Sequence, residues 1–404
     1  MALLSHIDGV CPDCGAPYGI IDVHPSYVHR GCERCRHRSS IPLPPVRKKV
    51  IYLDQSFFSH AWRGGRAKFA AVAERIQRVM SYQLLVAPYS SIHEDETHLW
   101  KDRTDLMAFI KDFSRGDEFV RADEVQQRQM LRAFDAWLDG KPADYQADKS
   151  EVFRENIHRW DRYFRFDVGG YHGDIDRMRA LKAEGLQDLL DNREIWRRSN
   201  FSFDDDVMAE YLERAKLYVG TYVDRVLRLM AGDLMALLGA PSASEVVRMM
   251  LATLGARHVP VEHQMLYCLM FFDTEHFRQA PYQRIAVLAC ATLKAAIKAG
   301  AYRNTSKASE YLKGFSFDVL HIATYAPYVD AIVVDPAMEQ LLARPEIRLS
   351  QTYGVKVFSV SSFSAMMAWL DEIEASMSDE HKAALPQAYP GIKLPSSGLA
   401  AATR

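Results

Sequence analysis

Two textures of apolar spacing alternate along the chain. Short unbroken apolar runs mark its two ends, and three- and four-residue periodicity fills the long middle. Lys49-Val-Ile-Tyr-Leu-Asp54 and Leu84-Leu-Val-Ala87 read as buried strands, the first ending on a carboxylate. Between them Phe69, Val72, Ile76 and Val79 predict an amphipathic helix over about 66–82. Pro88-Tyr-Ser-Ser-Ile-His-Glu is a turn into a helix, with Ser90 or Ser91 as its N-cap. From 101 to 310 the texture is helical, broken by polar turns such as Asp139-Gly-Lys-Pro and Val168-Gly-Gly-Tyr-His-Gly. Strand signals return at Asp330-Ala-Ile-Val-Val-Asp335 and Val355-Lys-Val-Phe-Ser-Val360, followed by a helix over 361–376. Short apolar strands joined by helices favour a parallel sheet covered on both faces, here an α/β fold interrupted by a long helical insertion.

The units expected are a small ribbon with a basic linker (1–45), the first part of the α/β domain (46–100), the insertion (101–310) and the second part (311–376). Residues 386–404, rich in Pro, Gly, Ser and Ala, are expected to be a disordered tail. Composition adds mostly exclusions. Fifty basic against fifty-two acidic residues leave a net charge of −2, so a polyanion site must come from local clustering. The apolar runs fall short of the ~18 residues a membrane span needs. The opening MALLSHIDG lacks the basic start and cleavage site of a secretory signal. Six cysteines in 404 residues are too few for a disulfide scaffold. A cytoplasmic protein without a membrane segment is the expectation.

Cysteine placement says more than cysteine number. Cys11, Cys14, Cys32 and Cys35 form C-x2-C-x17-C-x2-C, the spacing of a four-thiolate zinc site on a ribbon, with residues 19–29 long enough for a hairpin between the pairs. Four thiolates fill a tetrahedron, so this zinc is structural. Cys268 and Cys290 lie in apolar helical stretches and read as buried small hydrophobes. Close to the ribbon, Arg30, Arg34, Arg36, Arg38, Arg47, Lys48 and Lys49 face a single acid, Glu33. Such a patch would hold a nucleic-acid backbone by charge, though Ile41-Pro-Leu-Pro-Pro-Val reads equally as an extended connector. In the insertion, Arg154, His158, Arg159, Arg162 and Arg165 interleave with Trp160, Tyr163 and Phe164, a pattern that suits either base stacking or the solvated face of an amphipathic helix.

Acids carry the candidate chemistry. Asp54 and Asp335 end apolar strands; Glu94, with Asp95 and Glu96, and Asp318 open helices. In a parallel sheet these positions lie along one edge, where ligands bind. Carboxylates gathered there repel unless a cation such as Mg²⁺ or Mn²⁺ neutralises them, and such ions activate water for attack at phosphorus. Singly, Asp318 and Glu94 are also ordinary helix-dipole acids. His321 lies one turn after Asp318, placed to touch phosphate or simply to pack, and Gln55 and Ser56 follow the first acid. Asp330, which begins its strand, reads as an opposite-edge acid. The spacing of His93-Glu-Asp-Glu-Thr-His98 is wrong for a zinc-protease helix, and no phosphate-binding glycine loop is present.

The segments Val50-Ile-Tyr-Leu-Asp-Gln-Ser-Phe-Phe, Ala87-Pro-Tyr-Ser-Ser-Ile-His-Glu, Phe317-Asp-Val-Leu-His-Ile-Ala and Tyr328-Val-Asp-Ala-Ile-Val-Val-Asp335, in that order, resemble the PIN-domain family of metal-dependent nucleases. The resemblance covers about 120 residues, roughly 48–100 and 312–375. It implies a Rossmann-type sheet, Mg²⁺ or Mn²⁺, and endonucleolytic cleavage, usually of RNA. By position it makes Asp54, Glu94, Asp318 and Asp335 the metal-binding acids. A competing register, Ser90-x2-His93-x2-Glu96, offers Glu96 in place of Glu94. The insertion is longer than in minimal PIN domains and would carry substrate specificity or dock a protein partner or second copy. The rival readings are a non-catalytic nucleic-acid-binding protein on the same scaffold and a DNA-directed nuclease of a defence system.

Overall fold

The computed structural model describes residues 3–99, 103–162, 175–237 and 241–394. Its eight strands form two four-stranded sheets. The first is an antiparallel ribbon of β1 (His6–Val10), β2 (Pro17–His24), β3 (Tyr27–Cys32) and β4 (Arg38–Pro42), in sequential order. Gly19 is required in β2, because a Cβ there would lie 1.9 Å from the His6 carbonyl oxygen of β1. The second sheet is parallel, with β5 (Lys49–Leu53), β6 (Leu85–Val86), β7 (Ala331–Val333) and β8 (Lys356–Phe358) in the order β6-β5-β7-β8. More than 270 residues separate β5 from β7, yet Ile51, Tyr52 and Leu53 pair with Ala331, Ile332 and Val333.

Helices follow the first two parallel strands: α1 (Gln55–Arg63), α2 (Ala67–Ser81), α3 (Ser91–Thr97), α4 (Arg103–Phe113) and α5 (Ala122–Leu138). The insertion continues with α6 (Ile175–Arg198), α7 (Phe203–Met230), α8 (Ser242–Ala256), α9 (Val261–Phe272), α10 (Glu275–Gln279), α11 (Pro281–Lys298) and α12 (Thr305–Leu312). Then come α13 (Phe315–Tyr325), α14 (Pro336–Leu342), α15 (Leu349–Tyr353), α16 (Phe363–Ala375) and α17 (Asp379–Ala388).

Alternation along β5 explains how both faces of the parallel sheet are covered. Ile51 and Leu53 point into one core with α1, α2 and α16, while Val50 and Tyr52 point into another with α11 and α13. A third cluster, centred on Phe134, Met250 and Phe271, holds the helical insertion together, and Cys268 is buried in it. Asp204–Asp206 open α7 through a capping box between Ser202 and Asp205.

Three expectations need correction. The ribbon and linker are not a separate unit: Ile20, Val23, Val28, Leu43 and Val46 are buried in the same core as β5 and α2. Residues 386–394 are not a loose tail, because Pro386 lies in the last turn of α17 and Tyr82 Oη donates to the Lys393 carbonyl; 395–404 lie outside the described residues. The stretch 152–162 is not a helix. Trp160 is buried, with Nε1 donating to the Pro44 carbonyl at 2.8 Å, so it is core and not a stacking platform. Tyr163, Phe164, Arg165 and the Val168 turn lie outside the described residues.

Candidate functional site

A strand that runs straight into a helix leaves the first turn of that helix with unpaired N–H groups, and an Asp at the junction accepts one of them. Asp54 does this after β5: its carboxylate accepts from the Phe57 N–H at 2.8 Å and from the Ser56 hydroxyl at 2.8 and 3.0 Å. Asp335 does the same after β7, accepting from the Met338 N–H at 2.8 Å. Because β5 and β7 are neighbouring parallel strands, with the Asp54 N–H donating to the Val333 carbonyl, the two caps come to the same edge of the sheet. The order β6-β5-β7-β8 reverses direction between these strands, which is where an open parallel sheet offers a crevice.

Neither Asp54 nor Asp335 has a Lys or Arg within ion-pair reach among the described residues. Asp54 is only 8% exposed. Burial raises its carboxyl to about 7, the bonds from Phe57 and Ser56 pull it down, and the charges of Asp335 and Glu96 push it up again. Next to it, Gln55 donates to the Thr97 hydroxyl at 2.8 Å and keeps its buried Oε1 without a partner.

The cap of α3 decides which of its acids joins this edge. Ser90, and not Ser91, is the N-cap, in a reciprocal box with His93. This register places Glu96, 8% exposed, next to His321 (Nε2 to Oε2 3.3 Å) and within the field felt by Asp54. Glu94 is turned instead toward Lys111 (3.7 Å), so of the two it is Glu96 that the structure brings near Asp54. Two residues along a helix are a rotation of about 200°, enough to put Glu94 and Glu96 on different faces. Asp318 stands one turn before His321 on α13, half-buried, with its carboxylate against Gly314.

Behind Glu96 runs a buried polar chain that joins His93 and His321 through Tyr52, the member that sequence reasoning did not single out. His93 Nε2–H donates to the Leu53 carbonyl at 2.8 Å, and its Nδ1 accepts the Ser90 N–H at 3.0 Å. Burial, then His321 beside it, hold this imidazole down at about 3, so it is neutral. Tyr52 Oη bonds both Ser90 Oγ at 2.8 Å and His321 Nδ1. With His321 Nε2–H directed at Glu96, Nδ1 is the acceptor and Tyr52 the donor. Tyr52 was detectable in principle as the one hydroxyl in an otherwise aliphatic buried strand, but only the fold shows what it meets.

The thiolates present a different geometry. Among the described residues, Cys11, Cys14, Cys32 and Cys35 are the only group of three or more candidate ligand residues whose donor atoms all lie within 4.8 Å of one another. Cys11 and Cys35 are 3.5 Å apart and Cys14 and Cys32 3.4 Å, near the ~3.8 Å expected between sulfurs of a tetrahedral zinc. Backbone N–H groups of Arg34 and Cys35 point at the Cys32 sulfur, both at 3.3 Å. Burial works against them, yet they bring that thiol down to about 6. The cluster is compatible with a structural zinc.

The basic segment divides. Lys48 is 2% exposed and paired with Asp161 at 2.9 Å, Lys49 pairs with Asp330 at 3.0 Å, and Arg30 pairs with Asp8. Lys48 is therefore corrected from a free phosphate contact to a buried structural pair, while Arg30 and Lys49 each have an acidic partner within the chain. Arg34, Arg36, Arg38 and Arg47 remain exposed. Lys48 and Lys49 also stand at the start of β5, roughly 16 Å from its other end by strand rise. No helix among the described residues is long and apolar enough to cross a membrane. Comparison with protein-family models, curated proteins and solved structures gives no match.

Proposed function

We propose that the chain is a metal-dependent endoribonuclease of PIN-like type, cutting single-stranded RNA at the carboxyl edge of its parallel sheet. The observation that carries this reading is Asp54: a buried carboxylate in the field of two other acids, raised to about 7, with no Lys or Arg in ion-pair reach among the described residues. Oxygen donors of this kind suit Mg²⁺ or Mn²⁺, which keep several waters and take only one or two carboxylates directly. Acids spread wider than one ion's first shell therefore still fit. Asp54, Asp335 and Glu96 would hold the cation, with Asp318 next along the edge. Bound there, the cation supplies a Lewis acid and lowers the pKa of water.

The chain's own residues do the rest. Helix caps fix Asp54 and Asp335 in place through Phe57 and Met338, so one oxygen of Asp335 remains to face outward. The Tyr52–His321 pair holds the Glu96 carboxylate in one orientation. The unpartnered Oε1 of Gln55 is an acceptor placed to orient a water beside Asp54. Exposed Arg34, Arg36 and Arg38 on the ribbon would hold the strand by charge, with zinc fixing the loop that carries them. A cytoplasmic setting suits reduced thiolates and an RNA substrate.

The test is incubation of purified chain with end-labelled single-stranded RNA and single-stranded DNA, with Mn²⁺ or Mg²⁺ or with EDTA. RNA cleavage that needs the divalent ion is expected; DNA-only cleavage moves the substrate, and no cleavage of either removes the catalytic reading. Metal analysis should find one zinc per chain, lost in Cys14→Ser.

A further inference from the structure

Fourteen of the nineteen large apolar side chains exposed among the described residues lie between Phe201 and Met270, just before α7, on α7, in the turn after it and on α9. On α7, Met208, Leu212, Val223, Leu227 and Met230 fall on one solvent-facing stripe at multiples of three and four residues. Between α7 and α9 the surface sinks into an apolar groove of about 730 Å³, lined by Leu212, Val219, Leu269 and Phe272 among others. Each of these fourteen side chains is between 43% and 80% exposed, so this part of the insertion leaves a large apolar surface in water. A monomer rarely exposes more than a few hundred Å² in one patch, whereas ~800 Å² is what each partner contributes to a standard interface.

Two features of the stripe indicate what covers it. Gly220 sits near the middle of α7 with open space where its Cβ would be, although glycine costs a helix interior about 0.5–1 kcal/mol. A missing side chain there lets another backbone approach. The exposed charges nearest to Gly220 are also self-complementary about it. Lys216 and Asp224, both exposed, stand four residues either side of Gly220.

We propose that a second copy of this chain covers this face, the two α7 helices packing antiparallel about a two-fold axis at Gly220. Such an axis brings residue 220−n of one copy opposite 220+n of the other. Lys216 then meets Asp224 of the second copy, and Leu217 meets its Val223. Lys216 already contacts Glu213 in its own chain at 2.7 Å, but both side chains are largely exposed and that pair is weak. The interface is independent of the nuclease reading, since α11 lies between α7 and α13.

Sedimentation equilibrium of the full chain tests it. Wild type should form a dimer of twice the 46.0 kDa chain mass at micromolar concentration. Leu227→Asp should weaken the dimer about a hundredfold or more by burying an unpaired carboxylate. Lys216→Asp and Asp224→Lys should each weaken it about tenfold, and the two together in one chain should restore the wild-type constant. Because these side chains are exposed in one chain, the melting temperature of the dilute monomer should not move, whereas that of the concentrated wild-type dimer should be higher; Leu227→Ser serves if the Asp variant folds poorly. A monomer at all concentrations, a dimer indifferent to Leu227 variants, or a charge swap without rescue overturns the proposal. So does a monomer that co-sediments with phosphatidylcholine vesicles, which would give the face to a membrane surface.

Discussion

Asp330 and Asp54 bracket the same pair of strands and have opposite surroundings. At the starting edge of β5 and β7, Asp330 accepts from Lys149 at 2.7 Å, from the Val50 N–H at 2.8 Å and from Lys49 at 3.0 Å. Burial would push its carboxyl up, but the two ammonium groups and the N–H hold it below the usual carboxylate range. At the finishing edge, Asp54 is more deeply buried and has hydroxyl and N–H donors, yet burial first, and then the charges of Asp335 and Glu96, raise its carboxyl to about 7. At one edge the carboxylate is paired with lysines; at the other, Asp54 has no Lys or Arg in ion-pair reach among the described residues. Buried carboxylates in a fold this size are ordinary when paired. Asp54 and Asp335, with no Lys or Arg in ion-pair reach among the described residues, are what single out the carboxyl edge as a candidate site.

The widest separation should be in rate. Asp54→Asn keeps a good helix cap but should lower RNA cleavage by about a thousandfold, roughly 4 kcal/mol of transition-state stabilisation. Asp330→Asn should leave the rate within about twofold and instead lower stability by about 1–3 kcal/mol, because Lys149 loses its buried partner. Single-turnover rates and thermal melts of both variants separate the two. If Asp330→Asn proves the slower enzyme, the edges have been assigned the wrong way round.

Next comes the support of Glu96. Tyr52→Phe removes the donor to His321 and should reduce cleavage about 10–100-fold, the range expected for groups that orient a metal-binding residue. A purely structural tyrosine would change melting temperature alone. The distinguishing readout is the apparent Mn²⁺ requirement, which should rise in Tyr52→Phe and stay unchanged in Phe119→Leu, a packing change in the same core.

Smallest, and opposite in sign at the two edges, is the pH dependence of stability without metal. Asp54 titrates higher in the folded chain than in the unfolded one, so its ionisation costs stability as pH rises from about 4 toward 7. Asp54→Asn should therefore melt higher than wild type above pH 7 in EDTA and equally near pH 4. Asp330 titrates lower when folded, so its contribution is complete above the unfolded value, ~3.9, and is lost as pH falls through the folded one. Asp330→Asn should thus be less stable than wild type at neutral pH, with the difference fading in acid.

How much of this could be read from the sequence depended on how local the cause was. Cys11, Cys14, Cys32 and Cys35 were legible because a C-x2-C turn is built within four residues. Asp54 and Asp335 were legible for the same reason, as junctions between an apolar strand and a helix. Glu94 and Glu96 could not be separated, since the choice rests on whether Ser90 or Ser91 caps α3, and both residues are good caps. Lys48 looked free for phosphate because its partner, Asp161, lies more than a hundred residues away. The stripe on α7 was only helical texture until the fold showed which of its faces no neighbour covers.

Direct evidence for a cation site at the carboxyl edge would come from a Mn²⁺ titration of the zinc-loaded full chain, followed by the loss of the free-ion electron paramagnetic resonance signal near pH 7.5. Saturable binding is expected in wild type and in Asp330→Asn, and its loss in Asp54→Asn. Equal binding in all three proteins, or none in wild type, would contradict the assignment of this edge as a cation site.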